Sequence, residues 1–375
     1  MKEKGKKRTV RAVWIAALGF LIGAGSIHTA LSFWKKLPAM YTVETGQEEQ
    51  ITGVPPLWKG IAAGTEAKTS EGYRYEEVFE EVLAEYGQLK GLYCETYSSA
   101  VPGLESTDFS YTATDQMVPQ GICIAGEFML ITAYDKEKEH NSVIYILSNE
   151  DPTEREFLAT LILPDQNHVG GITCDGSRVW IAKSTTGYLS VISLERIREA
   201  AASGEQTVFL GNYDAQLHCG VTASFVSYQD QRLWVGTSKS FFTKQGELTV
   251  FRMQEEGNRI RLVRQFVMEI PLHAQGISFL QEGGRNYLLL NTSYGRFRDS
   301  ALYVYEAFVN DRRVILRGRL KYTFPPMVEE LVSDGAYTYC LFESAATCYS
   351  TVEGMKCRYP VDRVCALENR KIVAG

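Results

Sequence analysis

Several signatures of common enzymes are missing from this chain. It has no Gly-x-Ser-x-Gly elbow, no phosphate-binding loop and no His-Glu-x-x-His segment, which removes the serine-hydrolase, P-loop and zincin designs. Its eight cysteines include no Cys-x-x-Cys pair, so a zinc ribbon has no support. Positive charge is outnumbered beyond the N-terminus. The first eleven residues carry six Lys or Arg against one acid, so a chain of net charge −6 has a remainder at about −11. That balance argues against nucleic acid and anionic lipid as partners.

One phrase recurs five times: a Gly or other small residue, an aliphatic, a short turn and a hydrophobic strand. It reads Gln120-Gly121-Ile122, Gly170-Gly171-Ile172, Ser224-Phe225-Val226, Gln275-Gly276-Ile277 and Glu329-Glu330-Leu331, with the aliphatic positions 50, 54, 51 and 54 residues apart. Units of this length, each of four short strands, cannot bury their faces alone and stack around an axis as a β-propeller. A β-sandwich of the same strands has no fixed period. Asp-Gly turns such as Asp175-Gly176 and Asp334-Gly335 follow the first strands, and apolar runs such as Arg178 to Ala182 and Arg232 to Gly236 supply the second. Outer strands are expected at 156–163, 207–213, 260–270 and 313–324. The last unit lacks one, and the β-prone stretch Phe109 to Thr114 is expected to complete it. The fold class is then an all-β, five-bladed β-propeller. A six-bladed ring with a degenerate blade from residues 90 to 115 is the alternative.

Five regions follow. Residues 1–11 are a basic tail, 12–34 an apolar run, 35–72 a polar stalk, 73–108 a helix with a lead-in, and 109–375 the propeller. At about 1.5 Å per residue the apolar run spans a hydrocarbon core of roughly 30 Å. It is longer than the apolar core of a cleaved signal peptide, and Lys35-Lys36 follows directly. It therefore reads as an uncleaved transmembrane signal anchor, single-pass at the cell membrane, with the propeller extracytoplasmic by the positive-inside rule. That compartment permits disulfides, and Cys348 with Cys357, in one long loop, are the best pair. Cys123, Cys174, Cys340 and Cys365 fall in or beside strands and read as small buried apolar residues. Apolar positions from Tyr75 to Tyr86 have helical spacing and Gly87 is placed to end that helix, which caps a face or edge of the ring.

Strand antiparallelism puts the long second-to-third-strand connections of every blade on one face, and rich loops on a rigid scaffold make binding faces. First strands begin on that face beside the axis, so Gln120, His168, His273 and Glu329 should ring the channel mouth. His168 and His273 occupy related positions in their repeats, where a histidine serves either to bond backbone at a crowded axis or to act chemically. The chemical reading makes His168, His273 and Glu329 or Glu330 ligands of calcium or zinc, or acid–base groups. Tyr134, Asp135, Ser184, Ser238, Tyr294, Arg296 and Glu343 stand around them as ligand-binding candidates, Arg296 being suited to a carboxylate or phosphate.

Architecturally, residues 109–370 resemble bacterial membrane-anchored or secreted propellers of the broad NHL and SMP-30-like kind, whose blades also begin with Gly-aliphatic and a turn. Gln120-Gly121 and Glu343-Ser344 are similar to the Gln-Gly and Glu-Ser phrases of plant-type glutaminyl cyclotransferases, which are five-bladed. In that family the two phrases share a blade; here they lie in the first and last units. The function expected is a membrane-anchored ligand- or protein-binding scaffold. The alternative is a hydrolase, lyase or cyclotransferase with a His/Glu pocket.

Overall fold

Five sheets succeed one another along the chain, each built on four antiparallel strands. The computed structural model describes residues 40–43, 48–50, 58–59 and 73–375, except 239–244, 258, 311 and 353. The tail, the anchor and most of the stalk lie outside the described residues. Among those described, no helix is long and apolar enough to cross a membrane.

The first blade comprises Met117–Ala125, Phe128–Asp135, Val143–Ser148 and Phe157–Ile162, and the second Val169–Cys174, Arg178–Lys183, Tyr188–Ser193 and Ala215–His218. The third runs through Phe225–Gln229, Arg232–Thr237, Gly246–Glu256 and Arg259–Ile270, and the fourth through Ala274–Glu282, Arg285–Thr292, Ser300–Val309 and Val314–Phe324. Val328–Asp334, Tyr337–Phe342 and Arg363–Glu368 make the fifth, closed by the two-residue strand Ser99–Ala100. Second strands are almost wholly buried because they are covered on both faces by neighbouring blades.

Two expectations about outer strands are corrected. Ser99–Ala100, not Phe109 to Thr114, completes the last blade, while Thr107–Asp108 and Ala113–Thr114 form a separate small hairpin. Thr207–Phe209 does not close the second blade either. The helix Leu194–Ala201 carries the chain out of that sheet, and Thr207–Phe209 joins the first blade in parallel with Phe157–Ile162. Within the expected stalk, Met40–Val43 pairs with Arg259–Ile270 and Trp58–Lys59 with Thr207–Phe209, so those short pieces belong to the outer edges of the sheets.

The helices Glu76–Glu85 and Gly87–Leu92 wedge Phe79, Val82, Leu83, Leu89 and Leu92 against the fourth and fifth blades. Buried Arg363 clamps them: its guanidinium lies 3.5 Å from the Tyr73 ring centroid and 3.8 Å from that of Phe79, and it bonds Glu76 at 2.8 Å.

The recurring phrase has its explanation at the axis. Five equivalent positions converge there, occupied by Gly121, Gly171, Phe225, Gly276 and Glu330. Phe225 turns its ring toward Gly236 and away from the axis. The Glu330 side chain extends into the room that the three glycines leave, and its Oε2 accepts the N–H groups of Ile122 and Ile172, both at 2.9 Å. Val226 N–H completes the set. One buried carboxyl thus ties the inner edges of three other blades together.

Candidate functional site

Each first strand except the third carries a register shift just ahead of the axial position, at Pro119/Gly121, Val169/Gly171, Ala274/Gly276 and Val328/Leu331. A bulge re-aims the residue it inserts. Here it turns Gln120, Gln275 and Glu329 into hydrogen-bonding range of a shared centre, while Glu330, one residue on, stays on the axis. Gln120 donates to Glu343 at 3.0 Å and Gln275 to Glu329 at 3.3 Å. Glu329 and Glu343 are themselves hydrogen-bonded.

Two carboxyls in contact cannot both ionise cheaply. Burial, then the neighbouring Glu343 charge, hold Glu329 well above the usual carboxylate range. Glu343 is pushed up to about 7 by burial, against the opposing hydrogen bonds from Gln120 and Glu329 and the charges of Lys136 and Arg296. Both carboxyls are therefore raised, and the pair keeps a proton more readily than an exposed carboxylate would. Glu329 is 5% exposed and Glu343 is half-buried.

A second chain of bonds lies alongside. Lys136 Nζ donates to the Tyr349 hydroxyl at 2.9 Å, and Tyr349 interacts with Tyr134, whose ring centroid is 4.4 Å from that of His168. Burial lowers His168 to about 4, aided by Lys136 and Lys138, so the ring is neutral at pH 7 and its Nδ1 meets Ser184 Oγ at 3.1 Å. Below this mouth, the inner edges of all five first strands line a further cavity of about 210 Å³ that also reaches Glu330.

The predicted residues separate into groups. Gln120, Tyr134, His168, Ser184, Glu329 and Glu343 adjoin one another at the mouth. Ser238, His273 and Tyr294 form another cluster on the third and fourth blades. There the His273 N–H bonds the Ser238 carbonyl at 3.1 Å and its ring lies 4.8 Å from Tyr294. His168, His273 and Glu329 are not a ligand set: among the described residues no group of three or more His, Cys, Asp or Glu gathers to hold a metal ion. The Asp135 carboxylate is engaged within its own loop, taking N–H groups of Glu137, Glu139 and His140 and the His140 ring at 2.7 Å. The expected Cys348–Cys357 bond is not formed. All eight cysteines are free, and these two pack against the apolar cluster between the first two blades.

Gln275, Lys136 and Tyr349 were missed. Gln275 could have been found, because it stands in the fourth repeat where Gln120 stands in the first. Lys136 and Tyr349 lie in irregular connections and carry no repeat signal.

Stability should report the dyad. A carboxyl whose folded pKa exceeds its unfolded one stabilises the fold while protonated, and that contribution is lost as pH rises between the two values. For Glu343 the window runs from 4.5 to about 7, and the contribution is on the order of 3 kcal/mol. Urea unfolding of the wild type is expected to show stability falling across that window, and Glu343→Gln should make the fall less steep, leaving the part due to Glu329 and Glu330. An unchanged slope in the variant would place the titration elsewhere.

No protein-family model and no curated protein sequence matches the chain, so the NHL and SMP-30-like resemblance gains no family support. Solved structures that match part of the chain include the Myxococcus xanthus glutaminyl cyclase, at 11% identity and TM-score 0.38, covering 68% of this chain and 91% of that one. The nidogen/laminin complex aligns over 63% of this chain and 78% of that chain, at 12% identity and TM-score 0.33. An exo-β-1,3-galactanase from Phanerochaete chrysosporium covers 64% and 59%, at 12% and 0.41. The five-bladed arrangement itself is read from this chain's own strand pairing.

Proposed function

We propose that this protein is a membrane-anchored, extracytoplasmic propeller that binds a small polar ligand at the axial mouth of its loop-rich face. The observation that carries this reading is the Glu329–Glu343 pair. The Glu343 carboxyl, pushed up to about 7, is hydrogen-bonded to buried Glu329, and amide, phenol and neutral imidazole groups flank the pair. Convergent polar groups at the centre of a rigid ring are how propellers and other scaffolds hold small molecules. A ligand offering hydrogen-bond donors would meet Glu343 and the Gln120 amide oxygen. One offering an acceptor would meet Tyr134.

The test is thermal stabilisation by a panel of small amines, amides and carbohydrates, in wild type and Glu343→Gln. A binder at a hundred times its dissociation constant should stabilise by about 2.7 kcal/mol, and the variant should lose most of that. If no compound discriminates the two proteins, the mouth is not the site.

A second reading is favoured by the same pair. An acid and a base in contact near neutral pH can exchange protons with a substrate, as a hydrolase, lyase or cyclotransferase requires. The contact is too close for the carboxyl separations of two-carboxylate glycosidases. Turnover would follow a pH profile that breaks at about 7 and that Glu343→Gln abolishes.

A further inference from the structure

Seven large apolar side chains stand exposed among the described residues, and four of them, Tyr294, Phe297, Val352 and Met355, lie on two loops of the face that carries the mouth. The other three, Tyr111, Val267 and Phe308, are on other segments. Scattered exposed hydrophobics need no account, but a cluster does. Phe297 is 69% exposed and Met355 52%. Arg296 joins the loops, donating to the Met355 carbonyl at 2.8 Å while its guanidinium lies 4.9 Å from the Tyr349 ring. Exposed Arg298, Lys356 and Arg358 flank the apolar groups. Residues 293–299 and 351–358 hold four Lys or Arg and two acids, Asp299 and Glu353, a local excess of positive charge in a chain that beyond residue 11 is strongly acidic. The overall charge that argued against anionic lipid is therefore reversed locally.

Aromatic and aliphatic tips beside cations are the chemistry of an interfacial binder: the apolar groups enter the headgroup–acyl boundary and the cations meet phosphate. We infer that this platform docks on a bilayer surface bearing anionic headgroups, with Phe297, Val352 and Met355 inserted and Arg298, Lys356 and Arg358 at the phosphates. The choice of a lipid partner rests on the membrane-anchored reading of residues 12–34, which brings a bilayer to the chain. The binding mouth then opens beside the lipid surface.

The experiment is hydrogen–deuterium exchange on the full chain in nanodiscs of phosphatidylglycerol with phosphatidylcholine and in discs of phosphatidylcholine alone. Amides of residues 293–299 and 351–358 are expected to exchange at least about fivefold more slowly in the anionic discs. A Phe297→Ser, Met355→Ser variant should lose that protection while its blade strands exchange as before. Equal exchange in both disc types overturns the proposal. Protection by a polyglutamate peptide, with none from anionic discs, overturns it in favour of an acidic protein partner. If the chain enters neither disc, the anchor reading fails. Absence of cosedimentation with anionic vesicles would then sink the docking proposal separately.

Discussion

Glu330→Ala is expected to lower the melting temperature by roughly 10 °C, because three buried backbone N–H groups on three blades lose their acceptor at once. Each orphaned buried donor costs about 1–3 kcal/mol. Opposing this is relief of the carboxyl's own burial, which raises its pKa well above the ordinary value. Three unsatisfied donors outweigh one group that can lower its cost by taking up a proton. Glu330→Gln keeps one acceptor oxygen and should fall between the two. Calorimetry of the three proteins decides the matter: an alanine variant as stable as wild type would mean that the axial carboxyl is tolerated and is no tie.

Gly171→Ala should be at least as damaging. A Cβ there would lie 2.7 Å from Phe225 Cα, 2.8 Å from Val226 N and 2.8 Å from Glu330 Oε1. Two of the three are backbone atoms of the next blade and cannot swing aside, so the ring itself must expand. The expected loss is about 3 kcal/mol or more, seen as a large drop in the urea midpoint or in soluble yield. Gly91→Ala is the matched control, since its Cβ would meet nothing within 4 Å and the residue is helical. It should be neutral or stabilising by up to about 1 kcal/mol. Comparable damage from both changes would show that the loss at 171 is not steric.

Much of the ring was legible because its signal is repeated. The phrase marks every turn about the axis, as Gly-Ile in three of its five copies, and the structure shows that those glycines make room for a carboxyl supplied by the fifth. Which of Glu329 and Glu330 faces the mouth was not legible. A bulge decides it, and a bulge leaves no mark in composition or period. Closure was misplaced for a related reason: Ser99–Ala100 is too short to show alternation, whereas Phe109 to Thr114 alternates without joining the ring. At the site, Gln120 and Glu343 were identified from a phrase in the first unit and a loop in the last, and ring closure makes those units neighbours. The histidine pairing failed because similar places in two repeats are set apart around an axis. Only side chains long enough to reach it can meet.

The clasp at Ser99–Ala100 also matters during synthesis. Its partners are Arg363 and Val364, so about 260 residues must leave the ribosome after the clasp before it can engage. At a translation rate of roughly 5 to 20 residues per second, that wait is about 15 to 50 s. Through that interval the nascent protein is an open arc with an unpaired outer edge waiting for its last blade. A premature stop before residue 363 leaves the last blade without its third strand and the clasp without its partner.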